Sequence, residues 1–149
     1  MGTGLLSFPE VVDDRAARTV ATGVVLLASA TIATRWWVLA AVLAYGFLAR
    51  VSSGPRFSPL ALVATRVVVP RLRGEMQPRL GEPKRFAQAI GLAFSATALV
   101  LLLTGADSAA VVVLAMLVVA AGLEAALGFC LGCAIYGRLR PDRCAQCVP

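Results

Sequence analysis

Apolar residues occupy this chain in long blocks, separated by short polar stretches. Blocks of ~18 or more apolar residues with few charges are the mark of membrane-spanning helices. The first predicted span covers about residues 16–34, with Asp13 or Asp14 placed to cap its leading turn. A very short connection at Arg35 leads into a second, shorter span over about 36–50, and Trp36 and Trp37 suit the aromatic belt of a membrane interface. A third span is predicted over about 86–104. A fourth run, about 109–136, is longer than a span needs, so its last turns should protrude or tilt. Ala87, Gly91 and Ser95 recur at four-residue spacing in the third span, a face suited to close helix approach.

Between the second and third spans, Ser58 and Pro59 announce a helix start, and Pro70 is expected to end that helix. About twelve residues at ~1.5 Å each reach only ~18 Å, too short for a ~30 Å hydrocarbon core. The segment 58–69 is therefore expected to lie in the cytoplasmic interface or dip partway in. Residues 71–85 read as a polar, basic loop. That connection holds Arg56, Arg66, Arg71, Arg73, Arg79, Lys84 and Arg85, and the C-terminal stretch adds Arg138, Arg140 and Arg143, whereas the other two loops offer only Arg35 and Asp107. Because Lys and Arg near span ends stay on the cytoplasmic side, both chain ends are placed in the cytoplasm of a cell that holds this protein in its cytoplasmic membrane. The expected fold is all-α: a membrane four-helix bundle over residues 1–137, with a short cytoplasmic interfacial helix and a cysteine-containing tail over 138–149.

Composition agrees with lipid as the main solvent. The hydrophobic fraction is 59% and only 15% of residues are charged, where a soluble domain would carry about a quarter. The net charge of +6 falls between apolar blocks, without the aromatic interleaving of single-strand binders, so no nucleic-acid partner is read from it. Glu10, Asp13 and Asp14 precede the first apolar run, so the N-terminal segment does not read as a signal peptide. There is no histidine, which removes His-based acid–base catalysis, Ser-His-Asp triads and His metal ligands together.

The remaining chemistry lies in four cysteines, arranged as two CxxC pairs: Cys130 with Cys133, and Cys144 with Cys147. Cytoplasmic thiols are normally kept reduced, so metal binding or redox exchange is preferred over a structural crosslink. In the first reading Cys144 and Cys147, accessible beside Arg143, exchange electrons or a persulfide sulfur with a cytoplasmic carrier and hand them to Cys130 and Cys133. The chain would then be a thiol–disulfide oxidoreductase or a sulfur-transfer component without a bound cofactor. In the second, the four thiolates hold zinc and staple the tail. In the third, the chain is an accessory subunit with free thiols. Cys130 and Cys133 sit at the end of the fourth helix, near its C-terminus, where the dipole and the apolar surroundings favour the neutral thiol and make a sluggish nucleophile.

Glu124 is an ionisable residue inside a span, a functional candidate by default. Rotation of ~100° per residue places it about 120° from Cys130 and opposite Cys133, which argues against a role as their base. It is expected to form a structural ion pair, first with Arg66 and otherwise with Arg85.

Four stretches carry a family resemblance: Phe8-Pro9-Glu10-Val11-Val12-Asp13, Gly54-Pro55-Arg56-Phe57-Ser58-Pro59, Pro83-Lys84-Arg85-Phe86-Ala87 and Gly128-Phe129-Cys130-Leu131-Gly132-Cys133. Together they resemble the landmarks of the domain of unknown function 4395 family, small membrane proteins, largely actinobacterial, without an established activity. The resemblance implies a membrane fold over nearly the whole chain. Members encoded near thioredoxin-like or sulfurtransferase proteins imply traffic of thiols or sulfur with such a partner.

Overall fold

The computed structural model describes residues 11–53, 58–72, 74 and 78–142. Among these the chain is helical apart from one ribbon of two three-residue strands. In order the elements are β1 (Val11–Asp13), α1 (Asp14–Thr34), α2 (Trp37–Ser53), α3 (Pro59–Val63), a π-helical turn (Ala64–Val68), α4 (Val69–Arg71), β2 (Pro78–Leu80), α5 (Gly81–Leu103), α6 (Asp107–Leu127) and α7 (Leu131–Leu139). Asp13 caps α1, its carboxylate accepting the Arg15 N–H at 3.0 Å.

The helices α1, α6, α5 and α2 pack in that order into a ring that closes with α2 against α1. Many of the residues buried along the seams are small: Ala21, Ala28 and Thr31 on α1, Ala40 and Gly46 on α2, Gly91, Ser95 and Ala98 on α5, and Ala110 and Ala121 on α6. Many large apolar side chains face outward instead, among them Leu26, Leu48, Val100, Val112 and Val119. A water-soluble core is built the other way round. Small residues inside and large apolar residues outside suit helices that pack by close backbone approach within lipid. Two buried hydroxyls are satisfied within their own helices: Thr31 donates to the Leu27 carbonyl and Ser95 to that of Gly91, each at 2.8 Å.

By length and composition α1, α5 and α6 can each cross a membrane, while α2 is apolar but shorter at 17 residues. The start of α1, the end of α2, the start of α5 and the end of α6 share one end of the ring, tied by Lys84 to Asp14 and Glu124 and by Arg85 to the Val51 carbonyl. At the opposite end an exposed pair, Arg35 and Asp107 at 3.9 Å, joins the two tight turns.

Three expectations from the sequence need correction. Pro70 does not end the helix that begins at Pro59. In an α-helix its missing N–H and its ring would both conflict with the carbonyl four residues back. The π-helical turn just before it, where Val69 N–H reaches the Ala64 carbonyl, widens the backbone, so the chain runs helically through Pro70 to Arg71. The segment docks on α1, with Leu60 against Gly23, where an added Cβ would stand 2.8 Å from the leucine methyl.

The stretch 71–85 is not all loop. Residues 78–80 pair antiparallel with β1, and α5 begins at Gly81 with Pro83 in its first turn, where a missing N–H costs nothing.

The predicted run 109–136 is two helices. Gly128 adopts φ 68°, ψ 14°, and its N–H returns to the Glu124 carbonyl at 2.9 Å while that of Phe129 reaches Leu123 at 3.3 Å. The bond from Gly128 is that of an αL cap, which needs a left-handed residue and therefore favours glycine. Arg18 of α1 adds donors to the carbonyls of Ala125 and Ala126, capping the same helix end from a neighbour.

Candidate functional site

The break at Gly128 reverses the electrostatics expected for the first cysteine pair. Cys130 is the N-cap of α7, in extended conformation (φ −93°, ψ 105°), and its sulfur accepts the backbone N–H of Cys133 at 3.2 Å. The pair thus stands at the positive end of a helix, the setting that activates a thiol, and not at the negative end assigned to it above.

The two glycines around the pair have separate tasks. Gly128 makes the turn, and Gly132 lets α7 lie against α5. A Cβ at 132 would stand 2.5 Å from the Ala87 Cβ and 2.6 Å from its Cα. The same contact surface includes the tilted rings of Phe86 and Tyr136, with centroids 5.6 Å apart, and the Tyr136 hydroxyl donating to Glu82 at 2.9 Å. The spacing of Ala87, Gly91 and Ser95 is used as expected, since Ala87 receives α7 and Gly91 receives the Phe47 ring of α2.

Beneath the pair lies a buried charge cluster. Glu124 pairs with Lys84, neither with Arg66 nor with Arg85 as expected; the Lys84 ammonium also stands 3.8 Å from Asp14, and both Lys84 and Asp14 side chains are 6% exposed. Arg66 is exposed on the π-helical turn, while Arg85 donates to the Val51 carbonyl at 3.0 Å. The angular argument that separated Glu124 from Cys130 assumed one unbroken helix. With the chain turned at Gly128, Glu124 and Cys130 line the same cavity.

These surroundings split the two thiols. Cys130 is held below the ordinary thiol range, first by the hydrogen bond from the Cys133 thiol and also by the Lys84 charge, against burial and the negative Glu124. Cys133 is pushed far up, because its proton is held in that hydrogen bond and its surroundings are apolar. One proton shared between two sulfurs puts the thiolate character on the capping residue, Cys130, and leaves the proton on Cys133.

The cavity has a volume of about 300 Å³ and lies between α1, α5, α6 and α7, with Phe47 of α2 in its wall. Its polar wall residues include Cys130, Glu124 and Gln88. Gln88 is held by Arg50, whose Nε donates to Oε1 at 2.8 Å. Arg50 is itself buried, stacked 4.5 Å over the Phe47 ring and donating to the Ser58 hydroxyl at 3.0 Å. Its Nη2 finds no acceptor among the described residues.

Sequence reasoning missed Lys84, Gln88 and Arg50. Lys84 was visible as the lone lysine of the chain, but counted only as a topological charge. Cys144 and Cys147 lie outside the described residues. Among the described residues no three of Cys, Asp and Glu come together as metal ligands, so a four-thiolate zinc site would need those two.

No curated protein and no solved structure matches the chain. Residues 12–140 match the family described as Domain of unknown function (DUF4395), and this stretch includes the helix break, the charge cluster and the cysteine pair. The chain belongs to that family.

Proposed function

We propose that this is a multi-pass protein of the cytoplasmic membrane whose Cys130–Cys133 pair exchanges electrons with a soluble thiol carrier of the cytoplasm. Four spans, α1, α2, α5 and α6, would place both chain ends and the cysteine pair on the cytoplasmic side. The outward-facing apolar side chains support lipid contact, and the arginine-rich connections at the cysteine end support that orientation. The shorter α2 reaches ~25 Å and is accommodated by local thinning of the bilayer.

The observation that carries the thiol reading is the Cys130 sulfur capping α7 with the Cys133 N–H as its donor. In the oxidised protein, a carrier thiolate attacks Cys130 and breaks the Cys130–Cys133 bond, so that Cys133 leaves with the electron pair and takes a proton. The carrier's second thiolate then attacks its own sulfur in the mixed disulfide and releases Cys130 as a thiolate, which the helix terminus stabilises. The carrier leaves as a disulfide and the pair is reduced. Cys144 and Cys147 are proposed as the first contact, receiving from the carrier and passing inward to Cys130 by the same attack.

Trapping tests this reading. Run in reverse, the same exchange has the Cys130 thiolate attack the disulfide of an oxidised carrier and Cys133 then resolve the mixed disulfide, so Cys133→Ser should leave Cys130 as a reductant-sensitive adduct with a soluble partner in cells, and adding Cys130→Ser should abolish the adduct. A thioredoxin-like partner would indicate electron traffic and a sulfurtransferase would indicate persulfide traffic. If neither Cys133→Ser nor Cys147→Ser captures any protein, the thiol-exchange reading is wrong.

A further inference from the structure

We infer that the cavity behind Cys130 binds a membrane-dissolved quinone, which takes the two electrons of the Cys130–Cys133 dithiol. This rests on the thiol-exchange reading and names its acceptor. The cavity falls at the lower end of ligand-pocket volumes, ~300–1,000 Å³, and holds a ring system rather than a nucleotide. Met116, Leu131 and Ile135 both line it and stand exposed, so its opening is apolar and faces the solvent of the helix exteriors, which is lipid.

The wall chemistry selects a neutral occupant. None of the residues lining the cavity is Lys or Arg, so nothing there holds a phosphate or a lipid headgroup, and Glu124 disfavours a carboxylate. Phe47 and Phe94 supply aromatic walls. Arg50 can only donate, so it must engage the oxygen of the Gln88 amide, and what Gln88 can offer a ligand is therefore its NH₂. That donor suits a carbonyl oxygen. Cys130 stands in the same wall, next to the Lys84–Glu124 pair.

The reaction balances without a further reagent. The Cys130 thiolate and the Cys133 thiol give up two electrons as the S–S bond forms, and the proton on Cys133 is released. The quinone takes two electrons, that proton and one more from the medium, so both carbonyl oxygens become hydroxyls. The hydroquinone departs into the membrane, and the resulting disulfide is the form that a reduced carrier attacks.

The test uses the reduced full chain in lipid nanodiscs without oxygen, with Cys144→Ser and Cys147→Ser introduced so that thiol counts report the inner pair. The probe is a short-tailed benzoquinone substituted at every ring carbon, which thiols cannot add to. One quinone should be consumed per two thiols lost. Ala120→Phe, which fills the cavity, should slow the reaction at least tenfold in protein whose melting profile is unchanged. A pair that exchanges with oxidised glutathione yet stays reduced in quinone would overturn the quinone site alone. Equal rates in folded Ala120→Phe protein would also overturn it, since the reaction would then occur outside the cavity. Failure to exchange even with glutathione would instead overturn the thiol reading beneath it.

Discussion

Lys84 connects two parts of the molecule, because one ammonium serves both the carboxylates that hold α1, α5 and α6 together and the sulfur at the start of α7. Removing one partner of a buried pair leaves an uncompensated charge, so Lys84→Met should lower stability by ~3–5 kcal/mol in thermal melts in detergent. The double change Lys84→Met with Glu124→Leu should recover the part of that loss that comes from Glu124, since it replaces that pair with apolar volume while Asp14 keeps its buried carboxylate. The thiol chemistry gives a separate readout. With its proton shared, Cys130 keeps thiolate character to lower pH than an ordinary thiol of pKa ~8.5, so its alkylation rate should rise with a midpoint below that value while Cys133 stays slow. The positive Lys84 favours the thiolate and the negative Glu124 opposes it. Lys84→Met should therefore move the midpoint up and Glu124→Gln should move it down, as followed by iodoacetamide labelling across pH. A profile indifferent to Glu124 would restore the separation of Glu124 and Cys130 that an unbroken helix implies. The cysteine pair itself was legible from its spacing. Its reactivity was not, because that depends on which end of a helix the pair occupies.

At the scale of elements, the site is made by one turn and one close contact. Apolar periodicity runs on through Gly128 and gives no sign of a break. The signal was the glycine itself, whose positive φ closes α6, followed by a cysteine able to cap what comes next. Gly132 then decides how near α7 comes to α5. Gly132→Ala should push α7 off α5 and destabilise the protein by ~1–3 kcal/mol, the usual range for overpacking. Ala87→Gly in the same chain should return only part of the melt and of the Cys130 labelling rate, because it removes the Ala87 Cβ but leaves its Cα 2.6 Å from the added atom. A similar lesson comes from Pro70, where proline marked a real irregularity but the chain absorbed it in a π-helical turn and went on. Local rules located these positions correctly; the outcome depended on what packed beside them.

For the whole molecule, the proposed topology predicts a sharp asymmetry. A single cysteine placed at Ala106, in a chain otherwise free of cysteine, should react with an impermeant maleimide on intact cells, whereas one at Arg140 should react only after the membrane is opened. The reverse pattern would invert the orientation and remove the cytoplasmic carrier from consideration. The exposed Arg35–Asp107 pair at the far end should contribute little, and Asp107→Ala should change stability by less than ~1 kcal/mol.

Long apolar blocks, short turns and the skewed placement of arginine were enough for the sequence alone to determine helices, their approximate bounds and the solvent they require, because spanning lengths and backbone satisfaction in lipid leave few alternatives. Spacing also marked the small-residue face of α5 and the cysteine pairs as chemistry. Only the tertiary structure decided that Glu124 meets Lys84, that Arg50 orients Gln88, and that Cys130 opens a helix beside a cavity instead of closing one. The physical reason is the same in each case. Such properties depend on charges and backbone termini brought close by helices far apart in sequence, and periodicity along a single helix carries no information about its neighbour.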